Sequence, residues 1–457
     1  MSHLYLLGVA TLTLTSASFA GSDTNADLQA RLEAAEARIS ELSAATNANW
    51  LNDTRANEIR GLVHDVLADA DTRASLQGSG ATAGYNGGFT VGSADGNWSL
   101  KINGLLQERW YDNTVDPAVG VSVDNRGFES TREVLNFSGT IAGDYGYDMR
   151  FDAGAAAGDL TTVWAYGTID LDDGWGLAMG TMKVPSNREW MINAEFQLAV
   201  ERSYASGSSL AADTIAANAG VGHAGVVQTT TGLSLNYVGD DVRFWAMYGN
   251  GLGDAAALYT ANDNSHTWAA RLEFMVEGAG WSQFDQFTSA DGSASGILVG
   301  VSYVRNNWGD NDNLAAANAQ NDSNSLITVD AQMQFGGSNL YVAYHHNNID
   351  GATGTGAGAL GYGDPTSFEA QYGLYLDSDW EVYARYQDID WDQTGTDNFD
   401  SFTVGVNYYM AGHNAKWTTD VSWADSGMTA GAGTTGWRTS TSTDDQTMVR
   451  TQLQFYF

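Results

Sequence analysis

The feature of this sequence that most restricts its fold is a long series of segments in which apolar and polar residues alternate. The series begins near residue 97 and continues to residue 457. In the clearest segment, one face carries Tyr145, Tyr147, Met149, Phe151 and Ala153, and the other carries Asp144, Asp148, Arg150 and Asp152. A period of two predicts β-strands with one apolar and one polar face.

The connections between these segments alternate in length. Every second connection is short, as at 143–144, 172–174, 239–241, 336–338, 377–379 and 411–413, whereas 278–296 is a long turn or an irregular extra strand. The intervening connections are mostly long and polar. Short turns at one end and long loops at the other are typical of an outer-membrane β-barrel.

Sixteen strands are predicted. They lie near 98–111, 129–142, 145–154, 161–171, 175–184, 226–238, 242–250, 266–277, 297–304, 324–335, 339–348, 367–377, 380–388, 401–411, 415–424 and 446–457. With an even number of strands, the first strand begins and the last strand ends on the same side of the barrel, the side of the short turns. The predicted fold class is therefore all-β, a 16-stranded antiparallel transmembrane barrel over 97–457, with an α-helical segment before it.

Composition agrees with this fold and excludes several functions. The chain has 43% apolar residues, 53 Gly and only 3 Pro, which favours a large β-protein. It has no Cys, which excludes disulfides, iron–sulfur clusters and thiol catalysis. Its net charge of −35 argues against nucleic-acid binding, which needs basic patches.

The first twenty residues are predicted to be a secretory signal peptide. An apolar run over 4–14 is followed by Ser18, Phe19 and Ala20, the small-residue pattern that precedes a cleavage site. After this segment, no stretch approaches 18 consecutive apolar residues. We therefore expect export, with the barrel in the cell outer membrane.

Residues 21–77 are predicted to form a helical, coiled-coil stalk in the periplasm. The residues Leu28, Leu32, Ala35, Ile39 and Leu42 have the four-three spacing of a coiled-coil seam, and 53–76 repeats an apolar stripe. Two helices packed on their own domain are the alternative, but the segment is too small to bury a core. The narrow seam therefore indicates an oligomer. Residues 78–96, rich in Gly, are predicted to be a linker.

The final strand carries a second signal. Its apolar face ends in Phe455 and Phe457, and Phe457 is the last residue. This arrangement resembles the C-terminal signal read by the barrel assembly machinery, which is therefore an expected partner.

Residues 180–203 (GTMKVPSNREWMINAEFQLAVERS) resemble the phosphate-selective porin O and P family. The resemblance rests on Gly180, Lys183, Pro185, Ser186, Arg188, Glu189 and Glu201-Arg202-Ser203, with similarity also from Gly127-Phe128 and Arg132 to the Asp172-Asp173-Gly174 turn. It covers roughly 95–457. The segment EIRGLVHDVLADADTRASL is similar to the N-terminal region of porins with coiled-coil stalks. The resemblance implies a homotrimeric channel in a Gram-negative-type outer membrane.

The sequence departs from the family in its charge. Phosphate-selective members line the pore with many Arg and Lys, whereas this chain has 45 acidic and 15 basic residues from residue 90 onward. We therefore expect a weakly selective porin that passes ions and small hydrophilic solutes, with a lean to cations at low salt. A phosphate- or anion-selective porin is the alternative. A barrel that mainly tethers the outer membrane to the cell wall through the stalk is another.

Two groups of residues are candidates for lining the pore. The first, the basic wall, has the polar parity of its strands: Lys101, Arg132, Arg150, Arg385, Lys416 and Arg450. These cations form a ladder along the pore, or each neutralises a lumen acid such as Asp148, Asp152, Glu381 or Asp420. The second is the long loop 185–225, predicted to fold into the barrel as a constriction. The constriction residues are Lys183, Arg188, Glu189, Glu195, Glu201 and Arg202.

No enzyme or cofactor is expected, because the sequence lacks the GxSxG, HExxH and P-loop signatures. A weak candidate for Ca²⁺ is the run Asp388, Asp390 and Asp392, whose carboxylates share one side of an extended chain. A solvated acidic loop is the alternative.

Overall fold

The structure, a computed structural model, describes residues 25–47, 81–116, 121–153, 160–207, 229–251, 266–307, 323–350, 364–392, 397–425, 437 and 445–457. The chain divides into two compact units, 1–79 and 80–457. In the first unit, the described residues form one helix, α1 (Asn25–Asn47). The predicted signal peptide and the second helical segment at 53–76 lie outside the described residues.

Helix α1 contains the predicted heptad run, and its apolar stripe is open to solvent. Leu32 is 59% exposed and Ile39 is 65% exposed. Within the described ranges, no helix is both long and apolar enough to cross a membrane.

The second unit is built from antiparallel strands. Their bounds are β1 (Ala81–Tyr85), β2 (Phe89–Ser93), β3 (Ser99–Asp116), β4 (Val123–Ile141), β5 (Tyr145–Asp152), β6 (Thr161–Asp170), β7 (Trp175–Lys183), β8 (Thr229–Val238), β9 (Val242–Gly249), β10 (His266–Glu277), β11 (Ser295–Asn307), β12 (Ser323–Phe335), β13 (Ser338–Asp350), β14 (Thr366–Tyr375), β15 (Trp380–Asp390), β16 (Phe399–Tyr409), β17 (Ala415–Ala424) and β18 (Asp445–Tyr456). Four short helical segments also occur among the described residues: α2 (Arg188–Met191), a 3₁₀ turn at Ala194–Phe196, α3 (Tyr204–Gly207) and a 3₁₀ turn at Trp281–Phe284.

Strands β3 to β18 close into a ring of sixteen. Each pairs with its neighbour in sequence, and β18 pairs with β3 from Asp445–Asp116 to Tyr456–Leu105. Closure leaves no open sheet edge within the ring, which is a condition for a barrel in lipid. The predicted closed 16-stranded barrel is confirmed. The first pair is longer than predicted, because β3 and β4 continue their pairing up to Val115 and Val123 through polar residues.

Part of the predicted linker is ordered. Strands β1 and β2 form a hairpin, and β2 pairs with the start of β3, from Phe89–Ile102 to Gly92–Ser99. This portion of β3 extends past the end of β18, so its edge is free to accept another strand. A linker was predicted over 78–96, yet 81–85 and 89–93 form strands, and the Gly-rich composition gave no sign of this pairing.

The two faces of the barrel differ as the alternation predicts. On β11, Leu298, Ser302 and Val304 are buried inside, whereas Val301 and Tyr303 are exposed on the outside. The outer face is therefore apolar and suits lipid, and polar side chains face the lumen. Short turns lie at the end that also holds the chain's C-terminus, so we refer to this end as periplasmic.

Candidate functional site

The long connection after β7 enters the lumen instead of extending outward. We call its described residues, 184–207, the constriction loop. Glu189, Glu195 and Glu201 are at most 5% exposed, although all three carry carboxylates. Helix α2 begins within it because the Asn187 Oδ1 atom accepts a hydrogen bond of 2.7 Å from the Trp190 amide.

The start of the loop is fixed to β10 and β12 by a buried ion pair. The Arg271 guanidinium donates to both oxygens of Asp330, at 2.8 and 2.9 Å, and to the Ser186 carbonyl at 3.0 Å. Arg188 lies beside this pair, 3.6 Å from Glu273. Arg271, Glu273 and Asp330 were not among the residues predicted for the site. Their polar parity placed them in the lumen, but nothing in the sequence showed which loop they would meet.

Glu201 connects the far end of the loop to β3 and β4. Arg109 Nη2 donates to Glu201 Oε1 at 2.6 Å, and Arg132 donates to both oxygens at 2.9 and 2.8 Å. Burial alone would raise the pKa of Glu201, but the two guanidinium groups hold that pKa well below its usual range. The carboxylate is therefore charged and bridges two wall arginines.

Glu195 and Glu189 make equivalent contacts with other strands. Arg150 on β5 donates to both oxygens of Glu195, at 3.1 and 3.0 Å. Arg385 on β15 donates to Glu189 Oε1 at 2.9 Å. Three predicted loop acids therefore face three predicted wall arginines, and the loop crosses the lumen as a bridge between opposite walls.

The remaining wall cations have other partners. Arg450 forms two hydrogen bonds with Asp420, at 2.8 and 2.7 Å, so a lumen acid neutralises it. Lys416 donates to the Gln197 carbonyl of the constriction loop at 2.9 Å. Lys101 lies beside the turn of the β1–β2 hairpin, near the periplasmic end. The structure therefore does not assemble all six cations into one ladder.

Lys183 and Arg202 differ from the wall arginines because their hydrogen bonds go to carbonyl and amide oxygens and not to carboxylates. The Lys183 ammonium donates to the Trp190 and Met191 carbonyls and to Asn193 Oδ1, at 3.0, 3.2 and 2.9 Å. Arg202 donates to two more carbonyls that close the same turn, at 3.1 and 2.7 Å. Neither cation forms an ion pair with a carboxylate among the described residues, so both charges remain uncompensated at close range.

Two indole rings lie beside these cations. The Trp164 ring is near Arg150 and Lys183, and the Trp190 ring is near Lys183 and Arg202. The Arg150 guanidinium carbon lies 5.0 Å from the centre of the Trp164 ring, and Lys183 Nζ lies 5.3 Å from it. Lys183 and Arg202 lie 5.5 and 5.2 Å from the centre of the Trp190 ring. Cation–π attraction stabilises the three cations in this partly desolvated place.

Two adjoining cavities lie between the constriction loop and the wall of β3–β8. The extracellular cavity, of about 80 Å³, is lined by Arg132, Val134, Arg150, Asp152, Val163, Trp164, Lys183, Trp190, Asn193, Ala194, Arg202 and Thr229. The periplasmic cavity, of about 180 Å³, is lined by Asn103, Gly104, Leu105, Val134, Asn136, Ser138, Asp148, Arg150, Trp164, Asn193, Glu195 and Tyr456. The first lining has four cations and one carboxylate, whereas the second has one cation and two carboxylates.

The candidate Ca²⁺ residues do not form a cation site. Asp390 accepts a hydrogen bond from the Asp392 amide, and Asp392 accepts one from the Asp364 amide. Among the residues that the structure describes, no group of three His, Asp or Glu side chains could hold a metal ion. The hypothesis was wrong because these carboxylates shape turns at the end of β15.

Comparison with known proteins gives a family match. A sequence model of the family described as phosphate-selective porin O and P matches residues 105–457. No curated protein matches the sequence significantly.

Solved structures show the same fold at low sequence identity. An anion-selective porin from Comamonas acidovorans is 12% identical, with a TM-score of 0.55 over 79% of this chain and 100% of that chain. In-vitro folded OmpT, an outer membrane protein of Vibrio cholerae, is 12% identical, with a TM-score of 0.50 over 79% and 98%. Its trimer form is 13% identical, with a TM-score of 0.49 over 79% and 99%.

Proposed function

The chain belongs to the phosphate-selective porin O and P family, and we propose that this outer-membrane porin is a passive, weakly selective pore whose narrow zone attracts anions. The observation that carries the proposal is the lining of the extracellular cavity. The lining carries four cations, Arg132, Arg150, Lys183 and Arg202, and one carboxylate, Asp152. Arg132 and Arg150 also pair with carboxylates of the constriction loop outside this lining, whereas Lys183 and Arg202 form no ion pair among the described residues. Field lines are confined between low-dielectric walls, so charges at the narrowest place act most strongly on a passing ion.

Ion selection would be weak because the cavity cations already donate hydrogen bonds to protein acceptors. All three protons of the Lys183 ammonium have acceptors within the protein. Arg132 and Arg150 each direct two donors at a loop carboxylate. An anion would be attracted by the net charge without finding a dense set of free donors. Conduction requires binding that is weak enough for the ion to leave.

The acidic excess of the chain acts in the opposite direction at the mouth. Charge on exposed loops is screened within about 8 Å at physiological salt, whereas charge in the narrow zone is screened less. The cation preference expected from the sequence therefore belongs to low salt. Anion preference should emerge as salt rises, because the loop charges are then screened and mainly the charges of the cavity lining still act on a passing ion.

This proposal is tested by the reversal potential across a planar bilayer under a KCl gradient, at low and at high mean salt. We expect the preference to move toward anions as salt rises. Arg150→Gln should move it back toward cations, because a cavity cation is lost. Arg126→Gln removes the same charge from a residue that is 62% exposed near the extracellular rim, and it should leave the high-salt value unchanged. Equal shifts for both variants would contradict the proposal.

A phosphate-selective pore is the second candidate, favoured by the family. It is distinguished by adding phosphate while chloride current is recorded. Block at low phosphate concentration would show a tight site and would overturn weak selection. We expect phosphate to block little of the chloride current, because the donors of the cavity cations are already hydrogen-bonded within the protein.

We also propose that residues 21–77 form a periplasmic stalk that joins the barrels into a homotrimer. The support is the exposed apolar stripe of α1, where Leu32 and Ile39 are not covered by other described residues. A narrow seam of this kind is buried when helices of several chains pair. Contact between the stalk and the cell wall would give the protein a tethering role in addition to the pore.

Deletion of residues 21–77 should weaken the trimer and leave a folded barrel. Each barrel closes its own hydrogen bonds, so its fold does not depend on the stalk. Trimer and monomer are separated on a gel at rising temperature, with heat-modifiable migration as the check on folding. An unchanged trimer would contradict the oligomerising role of the stalk.

A further inference from the structure

The connection between β10 and β11 is unusual for the periplasmic end. The other periplasmic connections of the ring are short, whereas this one runs over 278–294, and we call it the periplasmic loop. It also turns into the lumen. Phe284 and Phe287 are fully buried, and Thr288 and Ser289 are at most 3% exposed. A loop at a water-exposed barrel end has no need to bury two phenylalanines.

Inward-facing side chains of β12 form hydrogen bonds with the backbone of the periplasmic loop. Gln332 Nε2 donates to the Gln286 carbonyl at 2.5 Å, and Gln334 Nε2 donates to the Gln283 carbonyl at 3.0 Å. The Ser289 carbonyl accepts from the Gly337 amide, in the turn after β12, at 3.1 Å. These contacts provide partners for backbone groups that a buried loop would otherwise leave unpaired.

The periplasmic loop reaches a turn that is six strands away around the ring of sixteen. His413, in the turn between β16 and β17, lies 3.2 Å from Thr288 Oγ1 and 3.0 Å from Gln286 Oε1, measured from its Nε2 atom. The loop therefore spans the lumen from its root at β10 and β11 to the β16–β17 turn.

The same loop touches the constriction loop from below. The Phe287 ring lies 4.8 Å from the Tyr341 ring, and both belong to an apolar cluster with Ile192 and Leu198 of the constriction loop. The Phe287 amide points to the Phe196 carbonyl at 3.4 Å. Two loops from opposite ends of the barrel therefore meet inside it.

No residue of the periplasmic loop lines either cavity described above. The cavities lie against β3–β8, whereas the loop occupies the side of β10–β17. We propose that the periplasmic loop is a second constriction element, which closes this half of the lumen from below and confines solutes to the charged cavities. The inference rests on the proposed pore function and adds to it.

The experiment replaces residues 279–294 with the two-residue turn Asn-Gly in the full-length chain. Single-channel conductance should rise about twofold, because part of the lumen is no longer filled, and ion preference should decline, because ions can bypass the cavities. Phe287→Ala should show a smaller rise, and Phe287→Leu, which keeps the apolar contact, should behave as the original protein. Unchanged conductance after the loop replacement would overturn the proposal.

A labelling experiment keeps the proposal testable if the shortened chain does not fold. The natural chain has no Cys, so a single introduced thiol is a clean probe. Phe287→Cys should resist a membrane-impermeant thiol reagent, whereas Asp291→Cys, at an exposed position of the same loop, should react quickly. Equal reaction rates would overturn the inward placement. If Arg150→Gln shifts the reversal potential while the loop replacement changes nothing, only this inference fails, and not the proposed function.

Discussion

A chain that lacks Phe457 is expected to reach the outer membrane in sharply reduced amounts, although the barrel it forms should still fold and lose only part of the stability of this seam. Phe457 exchanges two backbone hydrogen bonds with Gly104, at 2.9 and 3.0 Å, where the first and last ring strands meet. Its ring is 42% exposed. Full burial of a Phe side chain stabilises by about 1.5–3 kcal/mol, so this partly exposed ring contributes less. A large loss of assembled protein would therefore reflect a missing assembly signal.

Gly104→Ala is the matched control. A Cβ atom at Gly104 would overlap the Phe457 ring and displace it, yet the terminal aromatic residue would remain. This variant should assemble in normal amounts and melt at a lower temperature. The measurement is the amount of heat-modifiable protein in isolated outer membranes. If both variants are equally depleted, packing at the seam and not the terminal signal controls assembly.

The second large effect is expected from Glu201→Ala, which should loosen the constriction loop and increase conductance. Glu201 is the carboxylate shared by Arg109 and Arg132, and its removal leaves two buried cations without their main partner. Removing one member of a buried ion pair costs about 3–5 kcal/mol. The variant should also prefer anions more strongly, because a negative charge beside the cavity is lost.

Glu129→Ala is the control for Glu201→Ala. Glu129 also contacts Arg109, at 3.4 Å, but it is 26% exposed. Water reaches the Glu129 carboxylate, and Arg109 keeps its shorter contact with Glu201 in this variant, so little should change. The measurements are the temperature at which the folded band disappears on a gel and the single-channel conductance. Similar behaviour of the two variants would show that Glu201 does not hold the loop.

The strands were predictable because their pattern is local. On β18, Arg450, Gln452 and Gln454 face inward and Leu453 and Phe455 face outward, as the alternation predicts. Each position needs only to suit lipid or the lumen, so neighbours in the sequence carry the information. The length and polarity of the loop after β7 also marked it as unusual.

The hairpin at 81–93 and the periplasmic loop were harder to predict. The β1–β2 hairpin depends on the free edge of β3, which exists only because β18 ends earlier. The burial of Phe287 depends on Tyr341 and on the constriction loop, which are distant in sequence. Local composition reveals neither the free edge of β3 nor the side chains that surround Phe287.

The order of residues alone was enough to specify a barrel of sixteen strands, the faces that meet lipid and lumen, and the ionisable side chains that point inward. The tertiary structure decided which of these side chains meet. Arg109 and Glu201 come together only because the constriction loop folds into the lumen against β3. Arg271 and Asp330 come together because the register of β10, β11 and β12 places both beside Gly300 of β11. The physical reason is that alternation repeats every two residues and specifies a face, whereas an ion pair depends on where the closed chain places two charges within a few ångströms.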